Sequence, residues 1–504
     1  MKTEHRITMN LEKISLFVNF FILLLFLVGV GLCFVYPSLL VYSLTAFIFI
    51  LNAVNFYYRY IQKTHTLLAN FGILAQVRYM IESLGPEFRQ YLYSSDVEGR
   101  PFNRVDRSDI YKKSKDIESS AAFGSLLNFD RNEMKLKHSM FPVLKTDIKK
   151  FSLTFGEERN LNQAYTIDKP IMIGAMSYGA LGSKAIRALA RGAFKAGIPL
   201  NTGEGGYPKY HLMEKCDLIF QMGTAKFGVR DSRGALDEEK LSSLAQHPQV
   251  KMIEIKFSQG AKPGKGGLLP KEKITKEIAE LRGVEMGKDV VSPPHHLECT
   301  DYKSTCVFIK RVQDISQIPV GIKFCLGQVD ELAQLAKTML EMDIFPDYIS
   351  IDGAEGGTGA APKIFMDHVG WPIFEALPLV HQVLGQVGAR QKTKLIASGR
   401  LVNSGKQMMA LAQGADAIYT ARGFMLALGC IQALRCNSNS CPVGITTHSK
   451  ALMRGLDIED KSERIKYYVH NLNHDYYEML SSLGQKSFTS LNQDLLLSYN
   501  FPEH

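Results

Sequence analysis

At 504 residues, 46% hydrophobic and 22% charged, the chain exceeds one small domain and has the apolar content of a large barrel with appendages. Its net charge of +9 is mild for this length, and no basic run interleaved with aromatics occurs, so nucleic acid is not an expected partner. Eight cysteines in so long a chain do not make a disulfide scaffold.

No charged residue stands between Lys13 and Arg59. That stretch holds two segments of about 20 residues each, the length a bilayer demands. Tyr36-Pro37-Ser38 breaks it, which predicts a hairpin of two spans, Ile14–Val35 and Leu39–Tyr58. A cleaved signal would need only half that apolar length and a small-residue cleavage site. Lys2, Arg6 and Lys13 precede the pair while Arg59 and Lys63 follow it, so both flanks carry the positive bias of the cytoplasmic side. The expectation is a two-pass anchor in the inner (cytoplasmic) membrane, residues 1–63, with lipid as its partner and the rest of the chain in the cytosol. Residues 64–150 read as helices and loops forming a linker and cap.

From Ile167 onward, short apolar runs alternate with helical stretches. The eight runs are Pro170–Ala175, Ile198–Asn201, Leu218–Met222, Met252–Phe257, Val320–Cys325, Tyr348–Ile351, Lys394–Ala397 and Ala417–Tyr419. Such a pattern predicts parallel strands buried on both faces, closed into an α/β (β/α)8 TIM-type barrel with its site at the strand C-terminal ends. The segments after six of these runs are rich in glycine, Ser, Thr and Arg, which lets backbone N–H groups approach an anion. No G-x-G-x-x-G lies between a strand and a helix, so a built-in nicotinamide domain is not expected. Cys430-x5-Cys436-x4-Cys441, followed by Pro442-Val443-Gly444, has too few ligands for an ordinary zinc site and suits an iron–sulfur loop. Cys216, Cys299, Cys306 and Cys325 show no such spacing and read as core or helix residues. Lys461–Leu483 reads as an amphipathic helix within a C-terminal extension, residues 448–504.

Gly174-Ala175-Met176-Ser177, Asn201-Thr202-Gly203-Glu204-Gly205-Gly206, Gln259-Gly260-Ala261-Lys262-Pro263-Gly264 and Gly356-Gly357-Thr358-Gly359-Ala360 occur in this order. Together they resemble the flavin domain of the glutamate synthase family, over residues 151–447. The resemblance implies an FMN across the barrel mouth. Its phosphate would lie near Gly356, Gly357, Thr358, Gly359, Gly399, Arg400, Ala421 and Arg422, and its ring near Ala175, Met176, Ser177 and Thr202. It implies a 3Fe-4S cluster on Cys430, Cys436 and Cys441. Glu204 and Lys323 take catalytic roles in this reading, and Lys256, Gln259, Lys262, Arg282 and Thr300 bind substrate. His295 and His296 match a family segment and read as loop-packing residues.

The implied reaction is reductive amination of a 2-oxo acid, most simply 2-oxoglutarate through 2-iminoglutarate, by ammonia or a small amine. Electrons would come from a ferredoxin-like donor or a separate reductase subunit. Where the family reads Lys-Pro-Gly-Glu-Gly-Gly-Gln, this chain has Lys262-Pro263-Gly264-Lys265-Gly266-Gly267-Leu268. That departure leaves open an N-methylglutamate-synthase-like amine transfer, or a membrane-bound electron-transfer component. Met1-Lys2-Thr3 ahead of a span leaves no expected room for a glutaminase nucleophile domain.

Overall fold

The computed structural model describes residues 2–127 and 134–497. Residues 128–133, within the segment read as linker and cap, lie outside the described residues. The chain divides into two compact units, Met1–Arg104 and Val105–His504.

The first unit is a helical hairpin with a short helical tail. Helix α1 runs Lys2–Val35 and α2 runs Leu39–Phe56, joined through Tyr36-Pro37-Ser38. Proline lacks the N–H a helix interior needs, and Ser38 caps α2 by accepting from the Val41 N–H at 3.3 Å. The segments Lys13–Val35 and Leu39–Ile61, with mean hydropathy 2.8 and 1.9, are long and apolar enough to cross a bilayer. Their outward faces are apolar, with Phe17, Phe20, Leu27, Leu40 and Phe47 all more than half exposed. Polar groups lie between the helices instead. Asn55 donates to Asn19 at 2.8 Å, and Asn52 donates to the Ile22 carbonyl at 3.2 Å. A third helix, α3, covers Leu74–Phe88.

The second unit is built on a closed barrel of eight parallel strands. They are β1 (Ile171–Ile173), β2 (Leu200–Asn201), β3 (Leu218–Met222), β4 (Val250–Lys256), β5 (Val320–Phe324), β6 (Tyr348–Asp352), β7 (Lys394–Ser398) and β8 (Ala417–Thr420). Each of the eight expected runs holds one strand, though Pro170–Ala175 and Ile198–Asn201 are strand only at Ile171–Ile173 and Leu200–Asn201. The antiparallel pair Leu153–Phe155 and Tyr165–Ile167 packs on a core of Met172, Ile219, Met252, Tyr348, Ile396 and Ala417, which closes the N-terminal end of the barrel. Phe155, fully buried, meets Tyr348 edge-on at 5.5 Å. Burying such a ring stabilises by about 1.5–3 kcal/mol. With that end sealed, the mouth at the strand C-termini is left for chemistry.

Two helices carry or follow residues expected at the site. Helix α4 (Lys276–Arg282) is capped by Thr275 and ends at Gly283, in the left-handed conformation at φ 59°. Helix α5 (Tyr302–Ser316) opens with a capping box between Asp301 and Ser304. The amphipathic helix expected near the C-terminus is α6, Ile458–Ser482; it buries Ile465, Tyr468, Leu472 and Tyr476.

Candidate functional site

Lys256 ends β4 and Lys323 lies opposite it on β5, so the barrel register alone sets two ammonium groups side by side. Each meets its own carboxylate. Lys256 Nζ donates to Glu204 at 2.5 Å and to Gln259 Oε1 at 2.6 Å. Lys323 Nζ lies 3.5 Å from Asp352, the last residue of β6. Asp352 also accepts from Ser398 at 2.8 Å and from the Gly260 N–H at 2.9 Å. Burial alone would neutralise Lys323, but Asp352 and Glu254 outweigh it and hold the ammonium above its ordinary value. Burial likewise works against an ionised Glu204, yet Lys256, with Lys262 and Arg282 beyond, keeps its carboxyl below the usual range.

Glu204 stands on the loop after β2, which crosses the loop after β1. A Cβ on Gly203 would come within 2.7 Å of the Ser177 N–H nitrogen, and its φ is +63°. Only glycine allows that crossing. Beyond it lies a pocket of about 540 Å³, open solvent included, lined among others by Ser177, Glu204, Lys262, Leu268, Lys273 and Arg282. Thr358 and Gly359, assigned to the cofactor by the sequence, also line it. Arg282, at the end of α4, donates to the Tyr178 carbonyl at 3.1 Å and lies over the Phe227 ring, 5.2 Å from its centre. Its Nε is buried with no hydrogen-bond partner among the described residues. Burial pulls Arg282 down to about 10, with Glu204 opposing. Lys262, which donates to the Ala360 carbonyl at 3.3 Å, is lowered to about 8 by burial and then by Lys256. The pocket thus holds more buried positive charge than its one carboxylate balances, which suits an anionic ligand.

Lys273 was not anticipated. It is 2% exposed, donates to the Ala180 carbonyl at 2.6 Å and lines the same pocket. In the sequence it is the last of three charged residues in Lys271-Glu272-Lys273, with no signal separating it from a solvated run. Thr300 is not brought to this group. It is exposed, and its N–H goes to Ser304 Oγ at 3.1 Å, ahead of α5. His296 is buried and bonds the Lys256 carbonyl at 3.0 Å, while His295 is exposed.

A second anion-suited region lies where the loops after β6, β7 and β8 meet. Arg422 donates to the Glu355 carbonyl at 2.7 Å, and a Cβ on Gly357 would stand 3.0 Å from its guanidinium. Arg422 is lowered to about 10, first by burial and then by Arg400. Arg400 Nε is itself buried without a partner among the described residues. Two half-buried guanidiniums that repel each other, with a glycine backbone packed close against one of them, fit a phosphate monoester. Gly399 and Ala421 flank this cradle; Ala175 and Met176 follow β1, which pairs with β8, and Thr202 follows β2, the next strand round. Thr202 Oγ1 accepts from the Gln221 N–H at 3.1 Å, so its hydroxyl ties β2 to β3.

Cys430, Cys436 and Cys441 line one pocket of about 270 Å³. Around it the chain turns through left-handed residues at Gln432, Leu434 and Asn439. The Gln432 N–H points at Cys430 Sγ from 3.4 Å. Burial pushes the Cys430 thiol up to about 11, whereas Cys441, despite burial, is lowered by N–H groups of Thr446, Val443 and Ile445. Among the described residues no three His, Cys, Asp or Glu side chains gather as a single-ion site. Thiolates of an iron–sulfur cluster bind separate irons and so stand further apart than the ligands of one ion. Three thiols lining one pocket, with an N–H aimed at one of them, are the donor types an iron–sulfur cluster takes. Cys436 lines both pockets, so the two share a wall.

Residues 105–486 match the family model for the conserved region in glutamate synthase. The chain is 36% identical to the glutamate synthase large subunit-like protein YerD of Bacillus subtilis, over 84% of this chain and 88% of that one. It is also 36% identical to the archaeal-type glutamate synthase (NADPH) of Thermotoga neapolitana, over 67% of this chain and 64% of that one. The archaeal glutamate synthase (NADPH) of Methanocaldococcus jannaschii gives 36% identity over 66% of this chain and 62% of its own length. The chain thus spans less than two thirds of the latter two relatives.

Proposed function

The chain belongs to the glutamate synthase family, and from that premise we propose that its barrel reductively aminates a 2-oxo dicarboxylate, 2-oxoglutarate in the simplest case. The observation that carries this reading is the pocket that Lys262, Lys273 and Arg282, all buried, line together with Glu204. A dicarboxylate gives those cations the negative charge they lack, and Arg282 suits a bidentate grip that lysine cannot make. Glu204, kept ionised by Lys256, accepts hydrogen bonds from the incoming amine and orients it towards the keto carbon. Condensation releases water. The resulting 2-imino acid then needs one hydride and one proton, and the Lys256 ammonium, 2.5 Å from Glu204, is the proton source closest to that carboxylate.

In this proposal the Arg400, Arg422 and Gly357 cradle holds the phosphate of FMN, and Lys323 presents a fixed positive charge to its ring. Cys430, Cys436 and Cys441 hold a 3Fe-4S cluster. When bound, FMN supplies the hydride and the cluster supplies the one-electron path that replenishes it. Electrons arrive from a ferredoxin-like protein or a separate reductase subunit. The hairpin, with positive flanks at both ends, anchors the enzyme in the cytoplasmic membrane.

The nitrogen donor is ammonia or a small amine. Hydrolysing glutamine calls for a thiolate, and burial pushes Cys299 and Cys306 up to about 11 and Cys325 to about 12; Cys216 is also raised. Leu268 in the pocket wall favours a second reading, in which a methylated amine replaces ammonia. Both readings are tested by anaerobic purification with flavin and iron analysis, followed by amino-acid formation from labelled ammonia, methylamine or amide-labelled glutamine. Product labelled from ammonia or methylamine supports the proposal, and methylamine ahead of ammonia selects the second reading. Label arriving from glutamine with the pure chain defeats both.

A further inference from the structure

Helix α3, Leu74–Phe88, continues through a wider turn, Arg89–Tyr93. Along it Val77, Met80, Ile81, Leu84, Phe88 and Leu92 are 44–67% exposed. At 3.6 residues per turn the five from Val77 to Phe88 share one arc of about 100°. No polar residue interrupts that arc; Gln76, Arg78, Glu82 and Arg89 stand outside it. The opposite side does the packing. Ala75 is buried, Tyr79 meets His65 edge-on at 6.2 Å, and Gln76 donates to the Tyr58 hydroxyl at 2.9 Å. An amphipathic helix in a water-soluble unit turns its apolar stripe inward. Here that stripe faces out, and the helix is held by its other face.

The height of α3 on the hairpin is fixed as well. The Ile73 N–H, at the start of α3, donates to Asn55 Oδ1 at 2.9 Å, and Asn55 in turn donates to Asn19 at 2.8 Å. Asn19 lies six residues beyond Lys13, and Asn55 four before Arg59, the last charges flanking the spans. At 1.5 Å per residue these are about 9 and 6 Å of helix. The start of α3 therefore sits just inside the charged flanks, at the depth where interfacial helices place their apolar faces, about 5–10 Å into the headgroup and acyl boundary.

We propose that α3 is an interfacial helix, seated along a lipid surface with its Val77–Phe88 stripe in the acyl boundary. The stripe then continues the apolar exterior of α1 and α2, and the chain meets the membrane through three elements. The proposal rests on the hairpin crossing the bilayer, and the test separates the two. The full-length chain contains one tryptophan, Trp371, whose wild-type signal serves as background. Phe88→Trp and, separately, Leu24→Trp in mid-span are reconstituted in phosphatidylcholine vesicles brominated either near the headgroup or near the mid-plane.

The expected result is that shallow bromines quench Phe88→Trp several-fold more than deep ones, with the reverse order for Leu24→Trp. Leu84→Trp, on the stripe, repeats the shallow pattern, and Glu82→Trp, off it, is quenched less. If Leu24→Trp is quenched and neither stripe tryptophan is, the hairpin stands and the interfacial helix is overturned, its stripe covered by protein instead. Quenching of the stripe by deep bromines alone also overturns it. No quenching at either Leu24→Trp or the stripe removes the hairpin reading together with this one.

Discussion

The hairpin and the barrel mouth both bury polar side chains, but on different terms. In the hairpin unit the buried groups are neutral amides and hydroxyls with side-chain or backbone partners: Asn55 bonds Asn19 and the Ile73 N–H, and Ser15 donates to the Phe71 carbonyl at 3.3 Å. At the barrel mouth the buried groups are charged and incompletely matched. Arg282 and Arg400 each keep a buried Nε without a partner among the described residues, and Lys262 is lowered to about 8. Matched neutral pairs hold helices together at little electrostatic cost, while under-matched cations strain the fold until a ligand completes them. Substitutions should therefore act on stability in the first region and on ligand affinity in the second.

The largest effect is expected at Arg282. Arg282→Ala should raise the keto-acid KM by the equivalent of about 2–5 kcal/mol, the range for breaking a buried charge pair. The ligand-free protein should melt no lower than wild type, since a desolvated cation has been removed. Steady-state kinetics beside thermal melts check both halves, and a large loss of stability would place Arg282 with the structural groups.

A second prediction concerns pH. Below about 8 Lys262 carries the charge that grips an anion, so the keto-acid KM should climb about tenfold per pH unit above that value. Stability moves oppositely. The folded value lies below the ordinary 10.5, so the unfolded chain binds more protons between the two, and the fold gains stability as pH rises through that window. Lys262→Arg should abolish the alkaline rise in KM, and an unchanged pH profile would remove Lys262 from the anion grip.

The smallest effect belongs to the hairpin. Asn55→Leu should lower its stability by about 0.6–1.7 kcal/mol, the range for a hydrogen bond between membrane helices, and leave kcat unchanged. Hydrogen exchange at the Ile73 amide in bilayers reads this directly, since its acceptor is gone; unaltered protection would show that the pair does not pin α3.

The eight strands were legible because strands buried on both faces read as unbroken apolar runs, and Leu218–Met222 is matched to the residue. Their ends were less so. β4 begins at Val250 because the polar Lys251 hides two strand residues, and β6, β7 and β8 extend by Asp352, Ser398 and Thr420. Those polar endings are strand by hydrogen bonding and mouth by position, so hydropathy cuts them off. Glu204 and Lys256 were legible through the family motifs that carry or adjoin them, on the loop after β2 and at the end of β4. Asp352 and Glu254 around Lys323, and Lys273 in the pocket, depend on which residues the closed barrel brings face to face, which no local window contains. The stripe on α3 has helical spacing, yet the segment reads as linker because its flanking loops are short and polar.

The repulsion between Arg400 and Arg422 reaches beyond the site. A ligand bound only by the folded chain shifts the folding balance by mass action, adding about 2.7 kcal/mol at a hundredfold excess over its dissociation constant. A phosphate monoester taken up by that cradle would thus act as a folding cofactor. Chains synthesised faster than the ligand is supplied would spend more of their time open to proteases, so the cellular amount of this protein would follow the abundance of its ligand even at constant synthesis.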